Sequence, residues 1–224
     1  MFIGHYGASY AATKVEPRLP LWLFFLAVQF LDIMWAIFVL LGIEHVRIVP
    51  GFTASNPLDL YHMPYTHSLT GAIGWSIAVA LFYRWFSANE GVSGKSMILL
   101  GAAVFSHWVF DLPVHTPDMP LWGDRFKVGL GLWNYPAIAL SLEVVVLFAG
   151  LWLYLRATRP VRKWSTAAFL LFGVALCAIQ VMTSLGAPPE SPTATAVTAL
   201  LGYLALAALA VWLGRTRESR IATA

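Results

Sequence analysis

The sequence predicts an all-α membrane protein, a bundle of about six transmembrane helices with a short N-terminal helix. Three observations carry that prediction. Of 224 residues, 59% are hydrophobic and 11% charged, against roughly 25% charged in a soluble domain. Several apolar runs reach the roughly 20 residues that a bilayer core requires. Lysines and arginines gather at the ends of those runs, as the positive-inside rule expects. The formal charge of +3 is therefore assigned to membrane orientation, and no nucleic-acid partner is expected. Cys177 is the only cysteine, which excludes an internal disulfide. No linker separates two folding units, so residues 1–224 read as one transmembrane domain.

Residues 1–18 form an N-terminal half-helix that stops at Pro17 and Pro20, and His5 is its only histidine. It either lies in the interface with Phe2, Ile3, Tyr6 and Tyr10 among headgroups, or re-enters the bundle and brings His5 to its middle. It lacks the basic-then-apolar layout of a cleaved signal peptide. Spans one to four, over 20–155, carry the ionisable residues. The first, about 20–42, holds Gln29 and Asp32; a polar loop follows over 43–65, with turns at Pro50-Gly51 and Asn56-Pro57. The second begins near His67 and ends near Phe86, and the short connection Ser87–Lys95 makes the third its antiparallel neighbour. The third holds His107 and Asp111, and Pro113 ends or bends it, so His115 need not continue their stripe. A second polar loop, 113–135, precedes span four, Pro136 to Leu155, with Glu143 near its middle. Spans five and six, within 164–214, hold no charge and read as scaffold.

His107 and Asp111 are one helical turn apart and share a helix face. Ionisable groups at bilayer depth are costly unless they pair or bind something. With the basic ends on one side, a rise of about 1.5 Å per residue puts Asp32 and Glu143 roughly 18 Å up, His107 roughly 16 Å and Asp111 roughly 22 Å. His67 falls at roughly 28 Å, near the outer boundary. Several spans thus offer ligands in one layer. A polar network that only fixes packing explains one or two such residues, not the whole layer. Imidazole and carboxylate together suit zinc, manganese or non-haem iron, and Glu143 or Asp32 could orient or deprotonate water as general base.

Several segments resemble a family of small bacterial membrane proteins labelled membrane-bound metal-dependent hydrolases. They are Phe2-Ile3-Gly4-His5-Tyr6, Phe30-Leu31-Asp32, Pro64-Tyr65-Thr66-His67-Ser68-Leu69 and Ser106-His107-Trp108-Val109-Phe110-Asp111. His115-Thr116-Pro117-Asp118-Met119-Pro120-Leu121 and Gly129-Leu130-Gly131-Leu132-Trp133-Asn134 belong to the same set, which covers about 1–155. The resemblance implies a metal site built from His5, Asp32, His67, His107 and Asp111, extended by His115, Asp118 and Glu143. The chain departs from the family at Phe30-Leu31-Asp32-Ile33-Met34, where an acid-rich Pro-Asp-x-Asp stretch is common, and at His62-Met63-Pro64-Tyr65, where His-Arg is common. These differences weaken the case for a second ion and for His62.

The function expected is hydrolysis of a lipid-borne or membrane-accessible ester, phosphoester favoured. Asp32 and Glu143 are the candidate catalytic groups, and His5, Asp32, His67, His107, Asp111 and His115 the candidate ligands of a divalent metal, zinc first. The alternative is a metal-ion or proton transporter using the same layer, in which a homodimer would supply the missing internal repeat. The expected setting is a bacterial inner membrane with both termini cytoplasmic.

Overall fold

The structure is a computed structural model that describes residues 1–87 and 93–220. Its helices are α1 (Ile3–Val15), α2 (Leu21–Val28), α3 (Phe30–Leu40), α4 (Leu69–Phe86), α5 (Gly94–Val114), α6 (Pro136–Ala157), α7 (Ser165–Leu185) and α8 (Pro192–Gly214). Two short antiparallel sheets join loop segments: β1 (His45–Ile48) with β2 (Leu58–His62), and β3 (Thr158–Pro160) with β4 (Arg217–Ser219). Helices α4 to α8 are each long and apolar enough to cross a membrane, and the bent pair α2–α3 makes a sixth when counted as one broken span. The protein is thus an all-α membrane bundle. Helix starts follow local chemistry. Ser68, Ser93 and Ser191 accept backbone N–H groups at the starts of α4, α5 and α8, and proline opens α6 and α8.

Of the two placements open to the N-terminal helix, the structure adopts the buried one. Ile3, His5, Tyr6, Ser9 and Tyr10 of α1 are all buried. Tyr10 packs edge-on against Phe25 and Phe169 and at a tilt against Tyr154, so the helix plugs an aromatic core. Glycine lets it approach α6 closely: a Cβ on Gly150 would lie 2.0 Å from the Gly7 carbonyl oxygen, and one on Gly7 would lie 2.2 Å from the Val146 carbonyl oxygen. Because the obstacle is backbone, neither helix can yield by turning a side chain. Gly150→Ala is therefore expected to cost about 1–3 kcal/mol through overpacking, read as a lowered melting temperature in detergent. An unchanged melt would mean that α1 is not seated against α6.

The first span is not one helix. It breaks at Gln29 with a 52° bend between α2 and α3, although no proline or glycine stands there. The cause is a side chain inserted into the helical ladder: His107 Nδ1 lies 2.6 Å from the Val28 carbonyl oxygen and takes it as hydrogen-bond acceptor. Asp32 consequently sits in the first turn of α3.

Three further expectations are refined. The polar loop over 43–65 folds into the β1–β2 hairpin, with His45 opposite His62 and Arg47 opposite Asp59. Pro113 does not end α5, which continues to Val114, and the His115 amide still donates to the Asp111 carbonyl. Within the connection Ser87–Lys95, residues 88–92 lie outside the described residues, while α4 and α5 pack side by side.

Candidate metal centre

Four segments bring six side chains together, and they are the six predicted ligands. His5 comes from α1, Asp32 from α3, His67 from the turn before α4, His107 and Asp111 from α5, and His115 from the position just after α5. Asp111 is the hub. Its Oδ2 lies 3.0 Å from His107 Nε2, 3.6 Å from His115 Nε2 and 3.7 Å from His67 Nε2. Its Oδ1 lies 3.2 Å from His5 Nε2 and also meets the Met1 ammonium. Asp32 Oδ1 lies 3.3 Å from His67 Nε2 and 3.4 Å from His107 Nε2, while its Oδ2 accepts the Tyr203 hydroxyl at 2.7 Å. The rings of His5 and His107 stack with centroids 4.0 Å apart.

The chain also fixes which nitrogen looks inward in His67, His107 and His115. Thr66 Oγ1 donates to Glu44 Oε2 at 2.6 Å, so the same oxygen accepts from His67 Nδ1 at 2.8 Å. His107 Nδ1 donates to Val28, and His115 Nδ1 donates to Asp118 Oδ1 at 2.8 Å. Each ring therefore carries a proton on Nδ1 and turns Nε2 toward the carboxylates, the arrangement found around metal-bound histidines. The inward nitrogens are left poorly satisfied: His5 Nδ1, His5 Nε2 and His107 Nε2 are buried with no hydrogen-bond partner. Such orphans are rare and costly in a protein interior. A cation between them removes the cost. Two groups have ligand atoms within 4.8 Å of one another, His5–His107–Asp111 and Asp32–His67–His107. These buried groups can hold a metal ion, and the donor set fits one of the borderline divalent ions.

The remaining predicted residues stand around this centre. Glu143 belongs to neither triad; its Oε2 accepts the amides of Phe2 at 2.8 Å and Gly4 at 3.3 Å, satisfying the free N–H groups at the start of α1. Asp118 lies behind His115 and also accepts from Thr116. His62 faces away and pairs with Asp124 at 3.0 Å. Burial raises the Asp124 pKa, but His62 and Lys127 outweigh it and hold that carboxyl below its usual value.

Sequence reasoning missed three participants. Glu44 is fully buried and accepts the amides of Tyr65 and Thr66 as well as the Thr66 hydroxyl. Thr66 and Glu44 together form a relay that steers His67. Tyr203 comes from α8, so the sixth span is more than scaffold. The only available signal was a threonine beside His67 and a glutamate at the far end of the polar segment that precedes it. Thr66→Val keeps the shape and removes the relay; it is expected to weaken zinc binding about 10–100-fold, measured by chelator competition. Unaltered affinity would show that His67 needs no orientation from Glu44.

Compared with family models, curated proteins and solved structures, the chain matches none.

Proposed function

We propose that the protein is a membrane-embedded, metal-dependent hydrolase of a lipid-borne or membrane-accessible ester, with a phosphoester the favoured kind. The observation that carries this reading is the set of buried imidazole Nε2 atoms turned onto two carboxylates, with two of those nitrogens making no hydrogen bond. His5, His67, His107, Asp111 and His115 would hold the ion, zinc first and manganese or iron next, with Asp32 beside it. A divalent ion in such a site supplies Lewis acidity and a water that loses its proton near neutral pH.

The chain's own contribution falls to Asp32. Its side chain is 18% exposed, against 4% or less for the other five, so it is the face that solvent and substrate reach. Tyr203 pins Oδ2, which leaves Oδ1 aimed inward as the proton acceptor. The buried aromatic and aliphatic packing around α1 and α5 keeps bulk water from the rest of the cluster. By the positive-inside rule, the ends bearing Lys14, Arg18, Arg84, Lys95, Arg156 and Arg215 face the cytoplasm, and a bacterial inner membrane is the setting proposed.

The test is turnover of a chromogenic phosphodiester and of phospholipid substrates by detergent-purified, metal-loaded protein. Asp32→Asn is expected to lower kcat at least about 100-fold, the scale of a lost general base. Turnover equal to wild type in Asp32→Asn would remove the role assigned to it. A second reading, metal-ion or proton transport, is favoured by the broken α2–α3 span at the cluster, because discontinuous helices build many transporter sites. Metal moving across proteoliposomes without ester turnover would select that reading instead.

A further inference from the structure

A second polar feature lies at the other end of the bundle. The last turn of α1, the Pro17–Trp22 segment and the ends of α6 and α8 enclose a cavity of about 270 Å³. It is separated from the metal centre by the length of α6 from Glu143 to Thr158, roughly 20 Å at the helical rise. Its lining includes the polar Arg215, Arg217, Thr158 and Ser219 and the apolar Leu21 and Trp22.

Among the described residues, no carboxylate lines this cavity. Arg217 is buried, yet its guanidinium donates only to neutral acceptors: Nε to Thr158 Oγ1 at 2.7 Å, Nη1 to Thr166 Oγ1 at 2.9 Å, and Nη2 to the carbonyls of Thr158 and Leu155. Among the described residues no acid forms an ion pair with Arg217 or Arg215, because Glu16 is held by Arg18 and Glu218 by Arg159. Completing the last carbonyls of α6 explains the Arg217 hydrogen bonds. It explains neither the exposed Arg215 nor the open space beside both residues. Arginine pairs well with phosphate oxygens, and basic pockets between membrane helices take anionic headgroups.

We propose that this cavity binds a phosphate group, carried by an anionic phospholipid headgroup or free in solution. The apolar lining at Leu21 and Trp22 matches the carbon chain that leaves a lipid phosphate. The full-length protein would be melted in neutral detergent with added phosphatidylglycerol, phosphatidylcholine or inorganic phosphate, and lipid adducts counted by native mass spectrometry. Phosphatidylglycerol is expected to raise the melting temperature by several degrees and to give a retained adduct. An equal rise with inorganic phosphate also supports the site and names free phosphate as its source. Arg215→Gln, a change at an exposed position, is expected to reduce retention at least about fivefold, while Arg156→Gln, the same charge change outside the cavity, leaves it intact. Metal content stays constant in both. Equal retention in Arg215→Gln and wild type, equal loss in both variants, or stabilisation by phosphatidylcholine as strong as by phosphatidylglycerol would each overturn the proposal.

Discussion

Asp111→Ala protein is expected to lose zinc affinity by more than about 100-fold, beyond the range seen when only an orienting partner of a ligand is removed. The reason is the number of groups that converge on this one carboxylate. Its two oxygens face the Nε2 atoms of four histidines, within 3.7 Å in every case. Truncation removes both oxygens and leaves buried imidazoles aimed at a void. Asp111→Asn keeps the volume and one carbonyl oxygen but loses the charge, so its affinity is expected between alanine and wild type. Chelator competition on detergent-purified protein measures all three. Alanine and wild type binding zinc alike would mean that the histidines face Asp111 for structural reasons alone.

Glu143→Ala is expected to destabilise the protein by about 1–3 kcal/mol, the cost of leaving buried donors unsatisfied, and to lower metal content together with stability. The carboxylate accepts two amides at the start of α1, and α1 carries His5. Its loss frees the helix that delivers one ligand. Glu143→Gln retains an acceptor oxygen and should keep most of the stability, the metal and the turnover. The pair of variants separates two roles. If Glu143→Gln kept its melt and its metal yet lost turnover, Glu143 would belong to the chemistry and not to the seating of α1.

Much of this centre was legible because ionisable residues are expensive in apolar spans. Asp32, His107 and Asp111 stand out from their neighbours, and the helical rise alone aligns their depths. His5 stood out in the same way, as the one histidine of an N-terminal segment whose placement the sequence left open. The break at Gln29 was not legible, since it arises from a contact between His107 and Val28, which lie 79 positions apart. Tyr203 was hidden for a related reason: tyrosine in an apolar span carries no sign of its partner until α8 is packed against α3. Glu44 sat in a segment rich in polar residues, where a buried acid looks like a solvated one. The β1–β2 hairpin was masked by its short strands and turn residues. Continuation of α5 past Pro113 depended on the His115 amide finding the Asp111 carbonyl, a detail that proline's helix-ending tendency obscures.

The most direct measurement is the metal content of the purified protein by elemental mass spectrometry, wild type beside His107→Ala. His107 is common to both candidate ligand groups, so one substitution tests them together. The expected result is about one or two equivalents of zinc, manganese or iron in the wild type, and a small fraction of that in the variant. A well-folded wild type that retains no metal after each ion has been supplied would contradict the account and leave the cluster as a packing network or a proton path.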